Sequence, residues 1–357
     1  YVGTDDGRIQ LTRDGGDSWE SLEGNIRDFD PMRAKVSRVV ASASSPGRAY
    51  VSFDRHHLGD FEPHIFVTDD FGRGWRRLDI AFPQKAGWVN VVVEHPQNPD
   101  LMFAGTETGL FVTMDAGASW ARMEGGFPTV PVDDLVIHPR DNDLVVGTHG
   151  RSIYILDDLT PLEQHDVQTT SPEMFEPRGV TLFLPWKHES YGAQGQFIGQ
   201  NPEFGALLSY YLPAAVDGPV EIVVKDNDGV TMRVLEGGGA AGFHRVAWDL
   251  RTDAPKDVPR GQGVLVPTGR YTAELATVTG GQRASFTVVL DPRLDGDIDV
   301  DELVERFEFQ NEGNALRERL GGEVVRAQKL SDTITKLEAL FEEPEYVAVR
   351  EALNHVE

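Results

Sequence analysis

Three of the chain's ten histidines and three carboxylates lie together in one stretch of eleven residues, between two apolar runs. Imidazole and carboxylate groups can share protons, bind a metal ion or hold a polar ligand when a loop brings them together. No compact metal-binding spacing is present, so two interpretations stay open: a metal site, or a loop ordered by its own hydrogen bonds. We expect no cofactor. The candidate residues are Asp54, His56, His57, Asp60, Glu62 and His64.

Equivalent positions further along the chain carry polar residues that could complete a site. Glu107, His149 and Arg151 follow short apolar runs of the same kind. Trp88 and Phe127 would add aromatic surface from neighbouring loops. Together these side chains could recognise a sugar or a peptide. The alternative interpretation is that His149 and Arg151 only hold their own segment in place.

The composition excludes several classes of function. The chain has 357 residues, with 33 Lys and Arg against 58 Asp and Glu, which gives a formal charge of −25. Such a charge repels nucleic-acid phosphates and anionic membrane surfaces. Because cysteine is absent, disulfides and thiolate metal sites are excluded. No run of 18 apolar residues occurs, so the sequence predicts no transmembrane segment.

A repeated motif indicates the architecture. The pattern Thr-x-Asp-x-Gly-x-(Ser/Gly)-Trp occurs three times, with its aspartates 56 and 45 residues apart, which fits one four-stranded blade of a β-propeller. Asp can accept backbone hydrogen bonds across a turn, Gly can adopt a positive φ, and Trp can pack between neighbouring sheets. We therefore predict a structural role for Asp14, Gly16, Trp19, Asp70, Gly72, Trp75, Asp115, Gly117 and Trp120.

The propeller prediction covers residues 1–162. Residues 1–22 would supply only the last two strands of an earlier blade, and two strands with three blades do not close a ring. We therefore expect upstream blades or a partner chain to complete the ring, and any targeting segment to lie upstream. The strands of the three blades are predicted near 36–43, 48–54, 64–68 and 75–78, near 89–95, 101–105, 110–114 and 120–123, and near 132–137, 143–147 and 152–156.

Two further units are predicted. After a connector at residues 163–205, alternating strands over residues 206–293 favour an antiparallel sandwich. Residues 297–357 have helical periodicity, with Gly321 and Gly322 dividing them into segments, and their apolar stripe should be buried in a helical hairpin or against the sandwich. A coiled-coil partner is the alternative. The predicted sandwich strands are Leu207–Leu212, Val220–Lys225, Met232–Leu235, His244–Asp249, Tyr271–Thr277 and Ala284–Leu290.

The three motif copies resemble the Asp-box, or bacterial neuraminidase repeat, of sialidases, xyloglucan-active hydrolases and sortilin-type receptors. The segments 242–249 and 267–271 are similar to the immunoglobulin-like domain of flagellar hook-capping proteins. Residues 1–300 as a whole resemble large secreted bacterial proteins of the sortilin-like or repeat-type glycosyl hydrolase kind. The resemblance implies a mainly β fold class, with a partial β-propeller of C-terminal blades, an immunoglobulin-like β-sandwich and a C-terminal helical segment. It also implies a secreted, periplasmic or cell-surface location.

Two functional hypotheses follow. The first is a cell-envelope or secreted binding and scaffold protein whose propeller face holds a protein, peptide or glycan ligand. The second is a glycoside hydrolase, sialidase-like or xyloglucanase-like, with part of its active site in upstream blades. A sialidase needs an arginine cluster with a tyrosine nucleophile, and a xyloglucanase needs two carboxylates across a cleft. Only Arg151 suits the first set, and only half of the second could come from Asp54, Asp60, Glu62 or Glu107, so we favour binding.

Overall fold

The computed structural model describes residues 1–83, 85–183, 199–256, 262–276, 282–294, 296, 298–341, 347 and 351, apart from the side chains of residues 340 and 341. The protein is mainly β with a long helix near its C-terminus, and it divides into two units, Tyr1–Phe175 and Glu176–Glu357. Most of the predicted Gly- and Gln-rich loop of the connector, residues 184–198, lies outside the described residues. None of the described helices combines the length and apolar character that crossing a lipid bilayer requires.

The first unit contains four consecutive antiparallel sheets, and the strand order within each sheet follows the chain. Their inner strands lie side by side, as in consecutive blades of a β-propeller. The first sheet has three strands rather than the two predicted. The strands are Val2–Gly3, Ile9–Leu11 and Glu20–Ser21; Lys35–Ala41, Ala49–Asp54, Ile65–Thr68 and Arg76–Arg77; Val89–Glu94, Met102–Thr106, Gly109–Thr113 and Ala121–Arg122; Val132–Ile137, Leu144–Thr148 and Ile153–Leu156.

Short helices connect or follow these sheets. Three of them are single 3-10 turns, and one is a short α-helix after the fourth sheet. Each 3-10 turn lies in the loop that follows a strand. They lie at Glu23–Asn25, His56–Leu58, Asp79–Ala81 and, for the α-helix, Thr160–Gln164.

Apolar side chains fill the space between successive sheets. Tyr50 and Ile65 of the second sheet pack with Met102 and Phe111 of the third, and all four are at most 2 % exposed. On the other side of the third sheet, a second cluster joins it to the fourth. Burial of such apolar area contributes about 25 cal/mol for each Å² removed from water, so the stacking of the sheets stabilises this unit.

The three motif copies form the same hydrogen-bonded hairpin. In each, the threonine hydroxyl accepts a hydrogen bond from the glycine amide at 2.8–2.9 Å. The aspartate carboxylate accepts one from the backbone amide four residues later, also at 2.8–2.9 Å. The glycine has a positive φ in every copy, from 85° to 104°. Because an L side chain is strained in that conformation, the motif requires glycine there.

The second and third hairpins also contact the sheet that precedes each of them. The indole of Trp120 stacks on Phe82 at 4.6 Å and donates a hydrogen bond to the carbonyl of Leu78 at 3.3 Å. Gly117 lies against the side chain of Leu78 in the same way as Gly72 lies against Leu22. Trp19 of the first hairpin is 47 % exposed. The motif is therefore a contact between sheets as well as a turn within one.

The fourth sheet differs from the others on its far side. Its chain lacks the motif glycine and tryptophan, and a fully buried Leu159 completes the core instead. Ile153 and Ile155 are 66 % and 58 % exposed, whereas Leu110 and Val112, at the same positions of the third sheet, are 3 % and 7 % exposed. An apolar face that is covered in the third sheet is thus open to solvent in the fourth.

The second unit contains a five-stranded sheet and a pair of antiparallel strands. Trp248 of the pair contacts Tyr271 at 5.3 Å and Phe286 at 6.0 Å in the larger sheet, so the two pack face to face. All six predicted strands are present. The sheet is not wholly antiparallel, because Val180–Leu182 adds to its edge in parallel. In spatial order its strands are Val180–Leu182, Arg283–Leu290, Gly269–Leu275, Val220–Asp226 and Thr231–Gly237; the pair is Ala206–Leu212 and Gly242–Trp248.

After a 3-10 turn at Pro292–Leu294, one helix runs without a break from Val300 to Phe341. The prediction that Gly321 and Gly322 divide it is wrong, since a glycine inside a helix costs only about 1 kcal/mol and neighbouring residues offset it. The prediction that its apolar stripe is buried, in a helical hairpin or against the predicted sandwich, is also wrong for the described residues. Among the described residues, the large apolar side chains from Leu316 to Leu337 on that stripe are exposed.

Alanine at Gly72 should destabilise the first unit much more than alanine at Gly15. Both glycines have a positive φ, 85° and 75°, which costs alanine about 1–2 kcal/mol. A Cβ at Gly72 would also overlap the buried side chain of Leu22, whereas nothing lies within 4 Å of one at Gly15. We expect an extra loss of about 1–3 kcal/mol for Gly72→Ala, measured by urea unfolding. Equal losses for the two variants would show that the hairpin does not act as a contact between sheets.

Candidate functional site

The candidate residues lie at one end of the first unit because of its topology. Each sheet is an antiparallel meander, so the loop from the second to the third strand and the loop to the next sheet lie at the same end. The motif hairpins, which join the third and fourth strands, lie at the opposite end. The loops 55–64, 107–108 and 149–152 therefore belong to one face, together with the start of each inner strand.

The loop after the second strand of the second sheet is held by its own hydrogen bonds. The buried Asp54 accepts one from the backbone amide of His56 at 2.9 Å and lies 2.6 Å from Nδ1 of the same residue. Gly59, with φ of 78°, ends the 3-10 turn of residues 56–58. Nε2 of His57 is 2.8 Å from the carbonyl of Arg33, so this histidine ties the loop to the preceding connection.

The side chain of His64 is buried and points into the protein. Its Nε2 lies 2.9 Å from Oδ2 of Asp60, and its Nδ1 lies 3.6 Å from Oδ2 of Asp79. Arg77 pairs with Asp79 from the other side. Burial is the largest single effect and raises the pKa of both carboxyl groups. His64, together with the Glu62 amide and Arg55 at Asp60 and with Arg77 at Asp79, outweighs burial and lowers both pKa values overall. These carboxylates therefore order the base of the loop.

Charged groups from the second and fourth sheets act on the side chain of Glu107, which belongs to the third sheet. Burial raises its pKa, and four neighbouring groups act on it. His56 and His149 lower the pKa, whereas Asp133 and Asp54 raise it, with a net upward shift. Contacts connect these groups across the sheets: Trp88 bonds to the Glu107 amide and stacks on His56, which lies beside Asp54. Asn90 bonds to Trp88 and to the carbonyl of Val132, the residue before Asp133. We call Asp54, His56, Trp88, Glu107, Asp133 and His149 the Glu107 cluster.

Trp88 provides the aromatic surface of the cluster. Its indole stacks on His56 with ring centroids 4.7 Å apart, and its N–H donates to Oδ1 of Asn90 at 3.0 Å. The carbonyl of Trp88 accepts a hydrogen bond from the Glu107 amide at 3.1 Å. Both the ring and the backbone of Trp88 thus position other members of the cluster. Phe61 flanks the indole at 6.0 Å.

A β-bulge at the start of each inner strand places a polar residue at this face. The bulges fall at Ser37, Asn90 and Asp133 in the second, third and fourth sheets. The hydroxyl of Ser37 donates to the carbonyl of Val89 at 2.7 Å, and the amide of Asn90 donates to the carbonyl of Val132 at 3.1 Å. A carboxylate cannot donate in this way, and Asp133 instead lies 3.0 Å from Nδ1 of His149.

The structure separates the predicted site residues into two groups. Asp54, His56, Glu107 and His149 come together, with Trp88. Arg151 is exposed in a turn between Gly150 and Ser152 but is not among the charges that act on Glu107, and Glu62 is exposed outside the cluster. Phe127 packs against Tyr154 at 5.0 Å and belongs to the core. No three histidine or acidic side chains of the described residues are arranged to hold a metal ion.

Sequence reasoning missed Asp133 and Asn90. Their signal was present in the repeat itself, because Ser37, Asn90 and Asp133 each follow a valine at the same position of successive blades. Alignment of the inner strands alone would have identified a position that is always polar. The bulge that turns this position towards the face is a feature of strand pairing, and the register of pairing was not predicted.

No protein-family model matches the sequence, and no curated protein matches it either. Several solved structures of β-propeller proteins are similar to it. A structure described as YCF48 bound to D1 peptide is 16 % identical with a TM-score of 0.32, covering 80 % of this chain and 76 % of that one. The GH74 xyloglucanase from Xanthomonas campestris is 15 % identical with a TM-score of 0.36, covering 79 % and 42 %. An ancestral GH74 enzyme is 10 % identical with a TM-score of 0.32, covering 82 % and 55 %.

Asp133→Asn should lower the pKa of Glu107. Removal of the negative charge of Asp133 makes ionisation of Glu107 easier, so its titration midpoint should move towards that of an exposed glutamate. The midpoint can be followed by NMR of the labelled glutamate carboxyl carbons, with Glu107→Gln to assign the signal. Asp134→Asn is the matched control, because it removes a carboxylate from the adjacent residue, and that carboxylate pairs with Arg38. An unchanged midpoint in Asp133→Asn would disprove the arrangement of the cluster.

Proposed function

We propose that this chain is a secreted, periplasmic or cell-surface binding and scaffold protein, and that its Glu107 cluster holds a protein or peptide ligand through a cationic side chain. The observation that carries this proposal is the convergence of Asp54, Glu107 and Asp133 from three sheets around an aromatic surface. Burial is the main cause of the raised pKa of Glu107; Asp133 and Asp54 raise it further, whereas His56 and His149 lower it. A cation brought by a ligand would favour the ionised form of Glu107. A lysine or arginine of a ligand would supply that cation.

The aromatic residues support the same class of ligand. The face of an indole attracts an ammonium or guanidinium group, and the stacked pair of Trp88 and His56 borders the carboxylates. The formal charge of −25 would also attract a basic partner over a longer range. A peptide is favoured over a free cation because no tight metal-binding arrangement exists among the described side chains.

The scaffold part of the proposal rests on the resemblances of the two units. The hairpin motifs fit the Asp-box repeat, and the two packed sheets of the second unit fit an immunoglobulin-like sandwich that acts as a spacer. We further propose that other blades, from upstream sequence or from a partner chain, cover the exposed Ile153 and Ile155 and the exposed Trp19. Apolar faces of this kind are covered between the second, third and fourth sheets.

A glycoside hydrolase is the second candidate, and one observation favours it. A carboxyl group with a raised pKa among other carboxyl groups resembles the arrangement of a general acid and its partner in glycosidases. Glu107 would be the acid, with Asp54 or Asp133 as the second carboxylate. Hydrolysis of xyloglucan or of a sialoside by the purified chain, lost in Glu107→Gln, would favour this candidate over the first.

Binding can be tested with two peptide pools that differ at one central position, lysine in one and acetyl-lysine in the other. We expect the chain to bind the lysine pool more tightly, and the double variant Glu107→Gln with Asp133→Asn to lose at least about tenfold in affinity, since each charge-assisted contact is worth about 1.5–3 kcal/mol. Binding should also weaken as the pH falls through the raised pKa of Glu107, because the protonated carboxyl no longer attracts a cation.

Glu62→Gln is the matched control for this experiment. It removes the same charge from the same face, at an exposed position outside the cluster. Fluorescence anisotropy with each labelled pool measures the affinities at fixed low salt. If both pools bind equally well, or if Glu62→Gln weakens binding as much as the double variant, the proposed recognition of a cationic side chain is wrong.

A further inference from the structure

The long helix, Val300–Phe341, contains a seven-residue repeat that its own unit leaves uncovered. Its 42 residues extend over about 63 Å. The side chain of Asn314 donates a hydrogen bond to the carbonyl of Gln262 at 3.2 Å, and Leu303 is buried, so the first part of the helix lies on the sheets of its unit. From residue 323 to residue 339, the described side chains are exposed except for a half-buried Val325.

The repeat has the pattern of a coiled coil. Apolar residues occupy eight of the ten core positions across more than four heptads, which is longer than a chance stripe on a surface helix. We call the row of core positions the seam. Three of its residues, Phe309, Leu320 and Leu330, are 76 %, 58 % and 63 % exposed in the structure. The first core position of the heptads is occupied by Gly313, Leu320, Ala327, Ile334 and Phe341, and the second by Phe309, Leu316, Glu323, Leu330 and Leu337.

The charges at the middle of the seam indicate how a second helix would lie. Glu323 is a charged residue at a core position, and it pairs with Arg326 one turn away at 2.7 Å. In a parallel pair, Glu323 would face Glu323 of the other helix in the same layer, which is unfavourable. In an antiparallel pair centred between residues 320 and 330, Glu323 would face Ala327 and lie near Arg326 of the second helix.

We propose that the long helix dimerises this protein, as an antiparallel coiled coil with a second copy of the chain. The two-fold axis crosses the helical pair at residue 325. Near this axis, the two Glu323 carboxylates balance the charge of the two Arg326 side chains. The neighbouring layers are apolar and bring together Leu320 with Leu330 and Leu316 with Ile334.

The oligomeric state of the full chain tests the proposal. Sedimentation equilibrium should show a dimer, and Leu330→Asp should raise its dissociation constant about a hundredfold or more, because it buries an unpaired charge in the seam. Ala339→Asp introduces the same charge on the outer face of the helix and should leave the dimer intact. Circular dichroism verifies that both variants keep the helix. A monomeric wild-type chain with an intact helix would overturn the proposal.

The direction of the helices can be read from disulfides, because the natural chain has no cysteine. An antiparallel pair predicts that Leu320→Cys mixed with Leu330→Cys forms a mixed disulfide, whereas neither variant crosslinks with itself. Disulfides that form within each single variant, and not between the two, would indicate a parallel pair or a different partner surface and would overturn the antiparallel arrangement.

Discussion

The structure of the first unit depends on one constraint, which is that its inner sheets are apolar on both faces. Every residue of Ala49–Asp54, Met102–Thr106 and Gly109–Thr113 is buried. A sheet of this kind is stable only when another sheet covers each face, so the sheets stack in a row. The hairpin motif strengthens the same contact, because its glycine allows the leucine of the preceding sheet to approach the backbone closely.

This stacking also creates the candidate site. When antiparallel meanders stack in register, their equivalent loops are neighbours even though they are far apart in the chain. His56, Glu107 and Asp133 come from three successive sheets in this way. The electrostatic effects of His56 and Asp133 on Glu107 follow from the stacking. In the second and third sheets, the polar residue at the bulge donates a hydrogen bond to the next sheet. In the fourth sheet that residue is Asp133, whose carboxylate lies beside His149 of its own sheet.

Much of the fold could be predicted from the sequence because it depends on local patterns. The Thr-x-Asp-x-Gly motif forms its hydrogen bonds within five residues, and alternating apolar residues define the strands of both units. The site was predicted less well. The sequence predicted candidate residues in the loop of residues 54–64, but it could not show that His64 turns inward to Asp60 and Asp79, since Asp79 comes from another part of the sheet. Gly321 and Gly322 misled the prediction, because propensity is weaker than the continuity of a long helix.

The sequence by itself determined the turns, the strand periodicity, the acidic charge and the seven-residue repeat of the long helix. These properties are set by neighbours along the chain. Only the tertiary structure decided which polar residues meet, because register, bulges and stacking determine which loop ends come together. The cluster of Asp54, Glu107 and Asp133 is thus a property of three packed sheets, and the raised pKa of Glu107 has its origin in burial and in charges that are distant in sequence.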